Sequence, residues 1–382
     1  MIMSDDVRRK KKKKQKKQNK ALTITGRVFA VIGITLLAVV VGLYGMLWIC
    51  CHGPSESARN LFVGTFLETG ALKFVPSIYF SKAEIEEITN NNSREHLDEE
   101  VDKDIIDIPK DDDEDNDNKE PDKDSEYNDN WDENGVQIIK IAGLTYSGTL
   151  MIVKDPSKVS VATIYPWSND NKDKYGVTLD QLVSGAGAIA GINGGEYVSD
   201  NNWGGKPKGL VVCNGEIQYN VPQYGDVMVG FNKDHILIIK ELTGMSSKQV
   251  ADMVAAEGIR DAVSFKDVAD GDDNHFTKLI INGESIQFTG SGSGANPRTA
   301  IGQRKDGAVL MFVTDGRGHE GHVGATAADL ISVLKQYGAV NAANLDGGSS
   351  SSMYYDGEWL MNSVTLYYAT SSWRLPTGFV VK

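Results

Sequence analysis

The residues best equipped for chemistry lie in the stretch 341–356, which reads NAANLDGGSSSSMYYD. An apolar, strand-like approach through Ala339, Val340, Ala342, Ala343 and Leu345 delivers one carboxylate, Asp346, into Gly347, Gly348 and four serines. Glycines let the backbone turn sharply and let a ligand approach it closely. A carboxylate held at a strand end, beside bare amides and hydroxyls, can grip a polar ligand. Taken alone, the same residues also suit a β-turn with a solvated aspartate. Three further junctions change that balance. Residues 188–200, AIAGINGGEYVSD, end an apolar strand in Asn193, Gly194 and Gly195. In 296–302, NPRTAIG, Arg298 enters a strand directly after a Gly/Ser-rich loop. In 313–329, VTDGRGHEGHVGATAAD, a strand ends in Asp315, Gly316 and Arg317 before a helix. Four such junctions, carrying Asn, Arg and two Asp, argue for one convergent polar pocket.

The elements that must hold this pocket are mostly strands. Runs rich in β-branched residues, separated by Gly, Asn and Asp turns, predict strands over 136–144, 149–153, 159–164, 209–213, 226–231, 235–240, 278–281, 308–314, 364–369 and 378–381. Asn214-Gly215 and Asn282-Gly283 suit two-residue hairpin turns. Helices are fewer: 247–257 and 326–337 combine N-cap residues with helical apolar spacing and end at Gly258 and Gly338, and 178–183 predicts a shorter one. The expected fold class is α+β, a β-rich single catalytic domain over 135–382 with a few helices. At about 250 residues it is large enough for one sizeable core.

What precedes the domain has a different character. The chain has 382 residues and a net charge of −13, unevenly spread. A basic run from Arg8 to Lys20 opens it, giving an expected cytoplasmic tail over 1–27. The nearly uncharged run that starts at Val28 and ends at Ile49 is about 22 residues, enough to cross a bilayer as one helix. It is too long for a signal-peptide core and lacks a small-residue cleavage pattern. With the basic flank on its N-terminal side, the expectation is a single-pass anchor over 28–51, the N-terminus cytoplasmic and the bulk of the chain extracytoplasmic, in the style of a Gram-positive bacterium. The basic run, being juxtamembrane, points to anionic lipid and not to nucleic acid. Residues 52–94 read as a membrane-proximal segment. Residues 95–134, dominated by Asp, Glu, Asn and Lys, predict a disordered acidic linker. Within it Asp113 to Asp117 resembles the start of a calcium loop but lacks its glycine and terminal glutamate. Cys50, Cys51 and Cys213 form no disulfide framework and no metal-ligand spacing.

The four junctions, in this order, resemble the phosphodiester glycosidase family: its N-G-G, R-T-A-I-G, D-G and N-L-D-G-G blocks are matched by 193–195, 298–302, 315–316 and 344–348, and the late Arg374-Leu375-Pro376 is similar to its Arg-Pro block. Glu196 stands where the family has an aromatic, and Ser349 replaces a third glycine. The resemblance implies cleavage of the bond between an anomeric carbon and a phosphate oxygen. Phosphate leaves readily, so the site needs cationic donors for the phosphodiester and a carboxylate facing the oxocarbenium-like centre. It implies Arg298 as first choice for the phosphate clamp, Arg374 as second and Arg317 as third. Asp346 and Asp315 are the implied carboxylate pair, their roles unassigned. Asn193, Gly194, Gly195, Glu196, Thr299, Asn344, Gly347, Gly348 and Ser350 are the implied substrate contacts, and no cofactor is implied. Each has a plainer alternative: Arg298 a structural ion pair, Asn193 a turn cap, Asp315 a charge near a helix start.

His319 and His322 invite a metal reading, but neither falls on a predicted helix and the family offers no counterpart, so a solvated loop without metal is expected. The expected function is a membrane-anchored hydrolase of a sugar-1-phosphodiester, an N-acetylhexosamine, in a cell-surface glycopolymer of wall or exopolysaccharide. The alternatives are an inactive glycan-binding or assembly module and a metal-dependent phosphodiesterase.

Overall fold

The computed structural model describes residues 5–69, 72–95, 97–108, 130–165, 167, 175–198, 204–270, 273–364 and 370–382. The chain divides into two compact units, 1–59 and 60–382. In the first, helix α1 (Asp5–His52) runs unbroken from the basic segment through the apolar run. Among the described residues it is the one helix long and apolar enough to cross a membrane. Its apolar side chains, Leu36 and Leu43 among them, are exposed. Helix α2 (Glu56–Leu67) begins at the end of this unit.

The second unit is built on three large antiparallel sheets and a two-stranded ribbon, Val268–Asp270 with Asp273–His275. The seven-stranded one runs, in spatial order, Val136–Ala142, Ser147–Val153, Val309–Thr314, Thr299–Arg304, Ala339–Asn344, Lys278–Ile281 and Glu284–Ser285. A second, of five strands, places Ala190–Asn193 between Met353–Tyr355 and Thr377–Val381. The third centres on Ile259–Lys266, flanked by Gly209–Cys213 and Asp226–Asn232.

Alternation along the strands sorts side chains into layers. Met151, Val153, Met311 and Val313 join the central core with Ile192, Val229, Val263 and Phe379 of the other sheets. Their neighbours Leu150, Ile152, Leu310 and Phe312 face the opposite way, onto Leu330, Ile331 and Leu334 of the helix Ala327–Gln336. Each fully buried leucine there contributes roughly 1.5–3 kcal/mol. Capping boxes start this helix at Thr326 and the helix Ser247–Glu257 at Ser246, and Gly258 ends the latter in the left-handed conformation that favours glycine.

The pairing decides where the chemistry goes. Antiparallel neighbours put the start of one strand beside the ends of the next. Thr299 pairs with Val313 and Ala300 with Asn344, so Arg298, entering its strand, lies at the same sheet edge as Asp315 and Asp346, which leave theirs.

Two expectations for the N-terminal half need correcting. Of the segment 52–94, expected to be membrane-proximal, residues 60–69 and 72–94 belong to the compact second unit. Residues 97–108, expected to be disordered linker, lie on the domain. Ile106 is buried, Leu97, Val101, Ile105 and Ile108 pack against the cores, and the Asp107 amide donates to the Lys305 carbonyl at 2.8 Å. These five apolar residues cover sheet surface, which average composition conceals. The acidic stretch 109–129, with the calcium-like run, and most of the strand expected at 364–369 fall outside the described residues.

Candidate active site

The sheet edge opens into a cavity of about 180 Å³ lined by Arg298, Arg317, Asp346, Asn344, Gly347 and Gly348, together with Glu68, Asn296, Phe265, His275 and Phe276. Asp346 is its titratable centre. Desolvation pushes its carboxyl up to about 7, the negative charge of Glu196 adds to this, and hydrogen bonds from Ser350 and the Gly347 amide oppose it. Tyr197 extends that chain, its hydroxyl lying 3.0 Å from Ser350 Oγ. Burial and the Asp346 charge raise the Tyr197 pKa, so it stays a neutral phenol.

Asn193 holds the Asp346 backbone in place. It is wholly buried; its Nδ2 donates to the Asp346 carbonyl at 2.5 Å, and its Oδ1 accepts from Thr299 Oγ1 at 2.7 Å and from the Ser352 amide at 3.2 Å. Asn193 and Thr299, implied as sugar contacts, are thus bonded to each other and, through Asn193, to the Asp346 backbone. Internal bonds also engage Gly194 and Gly195, whose amides donate to the Thr377 carbonyl and to Thr377 Oγ1. A Cβ at Gly195 would meet the Ser264 carbonyl oxygen at 2.4 Å, so close backbone packing demands glycine there. Glu196 is ion-paired to Lys208 at 2.5 Å, and its Oε2 is buried with no hydrogen-bond partner among the described residues.

Two guanidinium groups face the cavity. Arg298 ion-pairs with Glu68, donates to the carbonyls of Gly294 at 2.8 Å and Ala325 at 3.3 Å, and lies 4.9 Å from the centre of the Phe276 ring. Glu68 itself is nearly fully buried, with Oε1 accepting from the Gly294 amide at 2.9 Å. Arg317 donates to Ser349 Oγ at 2.9 Å, and a Cβ on Gly348 would meet its guanidinium at 2.6 Å. Partial desolvation and the charge of Arg298 push the Arg317 pKa down while Asp346 opposes them; the group stays cationic. Two buried amide atoms on the wall have no partner among the described residues, Asn344 Oδ1 as acceptor and Asn296 Nδ2 as donor. Such atoms leave unused hydrogen-bonding capacity on the cavity wall.

With these residues in view, the profile of the phosphodiester glycosidase family matches 186–382. The chain belongs to that family. It is 42% identical over 67 residues to the SPbeta prophage-derived uncharacterized protein YomE of Bacillus subtilis (strain 168), covering 18% of this chain and 10% of that protein. It is 24% identical over 241 residues to mouse N-acetylglucosamine-1-phosphodiester alpha-N-acetylglucosaminidase, covering 61% of this chain and 44% of the mouse protein. The chain thus spans less than half the length of either relative. Among solved structures, the zebrafish catalytic domain of the same name, described as auto-inhibited by its pro-peptide, is similar at 22% identity and a TM-score of 0.45, over 64% of this chain and 81% of that one. A putative exported protein of Burkholderia pseudomallei K96243 is similar at 13% identity and a TM-score of 0.40, over 62% of this chain and 74% of that one.

In this member of the family, Asp315 and Arg374 also lie off the cavity wall. Asp315 accepts from the Ser147 amide at 2.7 Å and faces His322 Nδ1 at 2.7 Å and His319 Nδ1 at 3.3 Å. Arg374 donates to the Gly176 carbonyl at 3.4 Å. Arg317, third in the expected order of arginines, takes the place beside Arg298. Glu68, Tyr197, His275, Phe276 and Asn296 have no prominence in the sequence. Asn296-Pro297 directly before Arg298 was the available signal for one of them; Glu68 lies far away in a segment with a different texture.

Proposed function

We propose that this chain hydrolyses a sugar-1-phosphodiester, breaking the bond between the anomeric carbon and the phosphate oxygen. The observation that carries this is the convergence of Arg298, Arg317 and the raised carboxyl of Asp346 on one cavity. Two guanidiniums suit a phosphodiester, whose charge they bind in the ground state and whose growing charge they meet as the phosphate leaves. A carboxyl titrating near neutrality suits proton transfer to or from water at the anomeric carbon. Asn344 Oδ1 and Asn296 Nδ2 suit the hydroxyls and acetamido group of an N-acetylhexosamine. The α1 segment supports a membrane anchor, and the substrate is then a glycopolymer at the outer cell surface.

The Glu68–Arg298 ion pair favours a second reading, a domain that binds glycan without turning it over, because a carboxylate already occupies one clamp. Incubating the full chain in detergent with an α-N-acetylglucosamine-1-phosphodiester, beside Asp346→Asn, separates the two. Free N-acetylglucosamine from wild type alone supports hydrolysis at C1. Release of sugar phosphate would mean cleavage of the phosphorus–oxygen bond on the aglycone side of the phosphate, and glycan binding without turnover would leave the binding module.

A further inference from the structure

The loop that follows Asp315 has a chemistry of its own. Its backbone is left-handed at Arg317, Gly318, Glu320 and Gly321, and this curl turns both histidines back towards the strand end they came from. We propose that Asp315, His319, Glu320 and His322 bind a first-row divalent metal ion of the zinc class.

Three observations carry the assignment. The ligating atoms of Asp315, Glu320 and His322 lie within 4.8 Å of one another. Asp315 Oδ2 is 2.7 Å from His322 Nδ1 and 3.3 Å from His319 Nδ1. Ligands bound to one ion at about 2.0–2.2 Å sit about 2.9–3.5 Å apart for right-angle or tetrahedral geometry, so the two aspartate–histidine separations already lie near that range and binding would draw Glu320 inward. The second observation concerns charge. Asp315 is 3% exposed, and among the described residues no lysine or arginine pairs with it. Oδ1 takes only the neutral Ser147 amide. A buried carboxylate is costly without a counter-charge, which a bound cation supplies. The third is access: the side chains of His319 and His322 are 53% and 28% exposed, open to an ion from solvent.

The donor set chooses the ion. Two imidazole nitrogens with two carboxylates suit zinc, manganese, iron or nickel, whereas calcium and magnesium prefer oxygen throughout. The consequence reaches the cavity, because the same loop carries Arg317, whose guanidinium meets Ser349. A bound ion would fix the loop and with it one of the two clamps.

The test is a metal-retention measurement on the tag-free full chain in detergent, stripped with chelator and dialysed against zinc. The expected result is one tightly held equivalent in wild type, lost in His319→Ala/His322→Ala and undiminished by excess calcium or magnesium. Cobalt in place of zinc should give visible d–d bands that the double variant lacks. Matching melts of metal-free wild type and variant establish that the variant folds; if it does not, the single exposed-residue variants Glu320→Ala and His319→Gln carry the same comparison. Wild type that keeps no zinc, or variants that keep as much as wild type, would overturn the site in favour of histidine–carboxylate hydrogen bonds alone. Because the readout is bound metal, the result is independent of whether the glycosidase reading holds.

Discussion

Asp315 and Asp346 begin with the same local grammar and end in different environments. Each leaves a strand of the seven-stranded sheet, each is followed by glycine, and their strands flank the one that Arg298 opens. Asp346 faces a cavity, with a serine, an amide and two nearby guanidiniums, and its carboxyl is pushed up to about 7. Asp315 is closed in by the Ser147 amide and two imidazoles. An Asp-Gly at a strand end specifies where a carboxylate stands; the loops that close over it specify what it does.

That contrast can be broken by substitution. Asp346→Asn should cost the most, a fall in kcat of about 10²–10⁴, the range for losing a positioned acid or base; Asp315→Asn should cost about tenfold or less at saturating substrate, measured in the same assay. Equal losses would erase the distinction. Next comes Arg298→Ala, with kcat/KM down about 10²–10³. Glu68→Gln should act in the opposite sense, raising kcat/KM about tenfold, because a phosphodiester no longer displaces a charged hydrogen bond. A tenfold decrease would instead make Glu68 part of the machinery.

The smallest effect is on stability. The folded-state pKa of Asp346 lies above the usual carboxylate range. The folded protein therefore binds the proton more tightly than the unfolded chain, and the stabilisation from that proton is present at low pH and lost as pH rises towards 7. Asp346→Asn should melt a few degrees above wild type at pH 8, about 1–3 kcal/mol, with the gap closing near pH 4. Differential scanning calorimetry at the two pH values decides it.

Much of the frame was legible in the sequence because its strands and helices obey simple periodicity. Strands Gly209–Cys213 and Lys278–Ile281 and the helix Ser247–Glu257 match their expected bounds. The central strand Ile259–Lys266 did not stand out, since Asp261 and Ser264 interrupt its apolar pattern; both are buried, Asp261 accepting from the amides of Val161 and Asn214. In the site, strand-end motifs gave the positions of Arg298, Asn344 and Asp346. They could not say that the amides of Gly194 and Gly195 are already bonded, nor that Arg317 lines the cavity while Arg374 does not. Those are facts of tertiary contact, as is Glu68 reaching Arg298 across 230 residues of chain.

Asn193 has a consequence for how the protein completes its candidate site. Its side chain joins a strand of one sheet to Thr299 and Asp346 of another, across 106 and 153 residues. Contacts of such sequence separation form late and slowly, since the chain must close long loops before they reward it. A molecule with either sheet formed but undocked has an aspartate with no fixed address. Turnover is thus a report on completed folding, and refolding followed by activity should lag behind refolding followed by secondary structure.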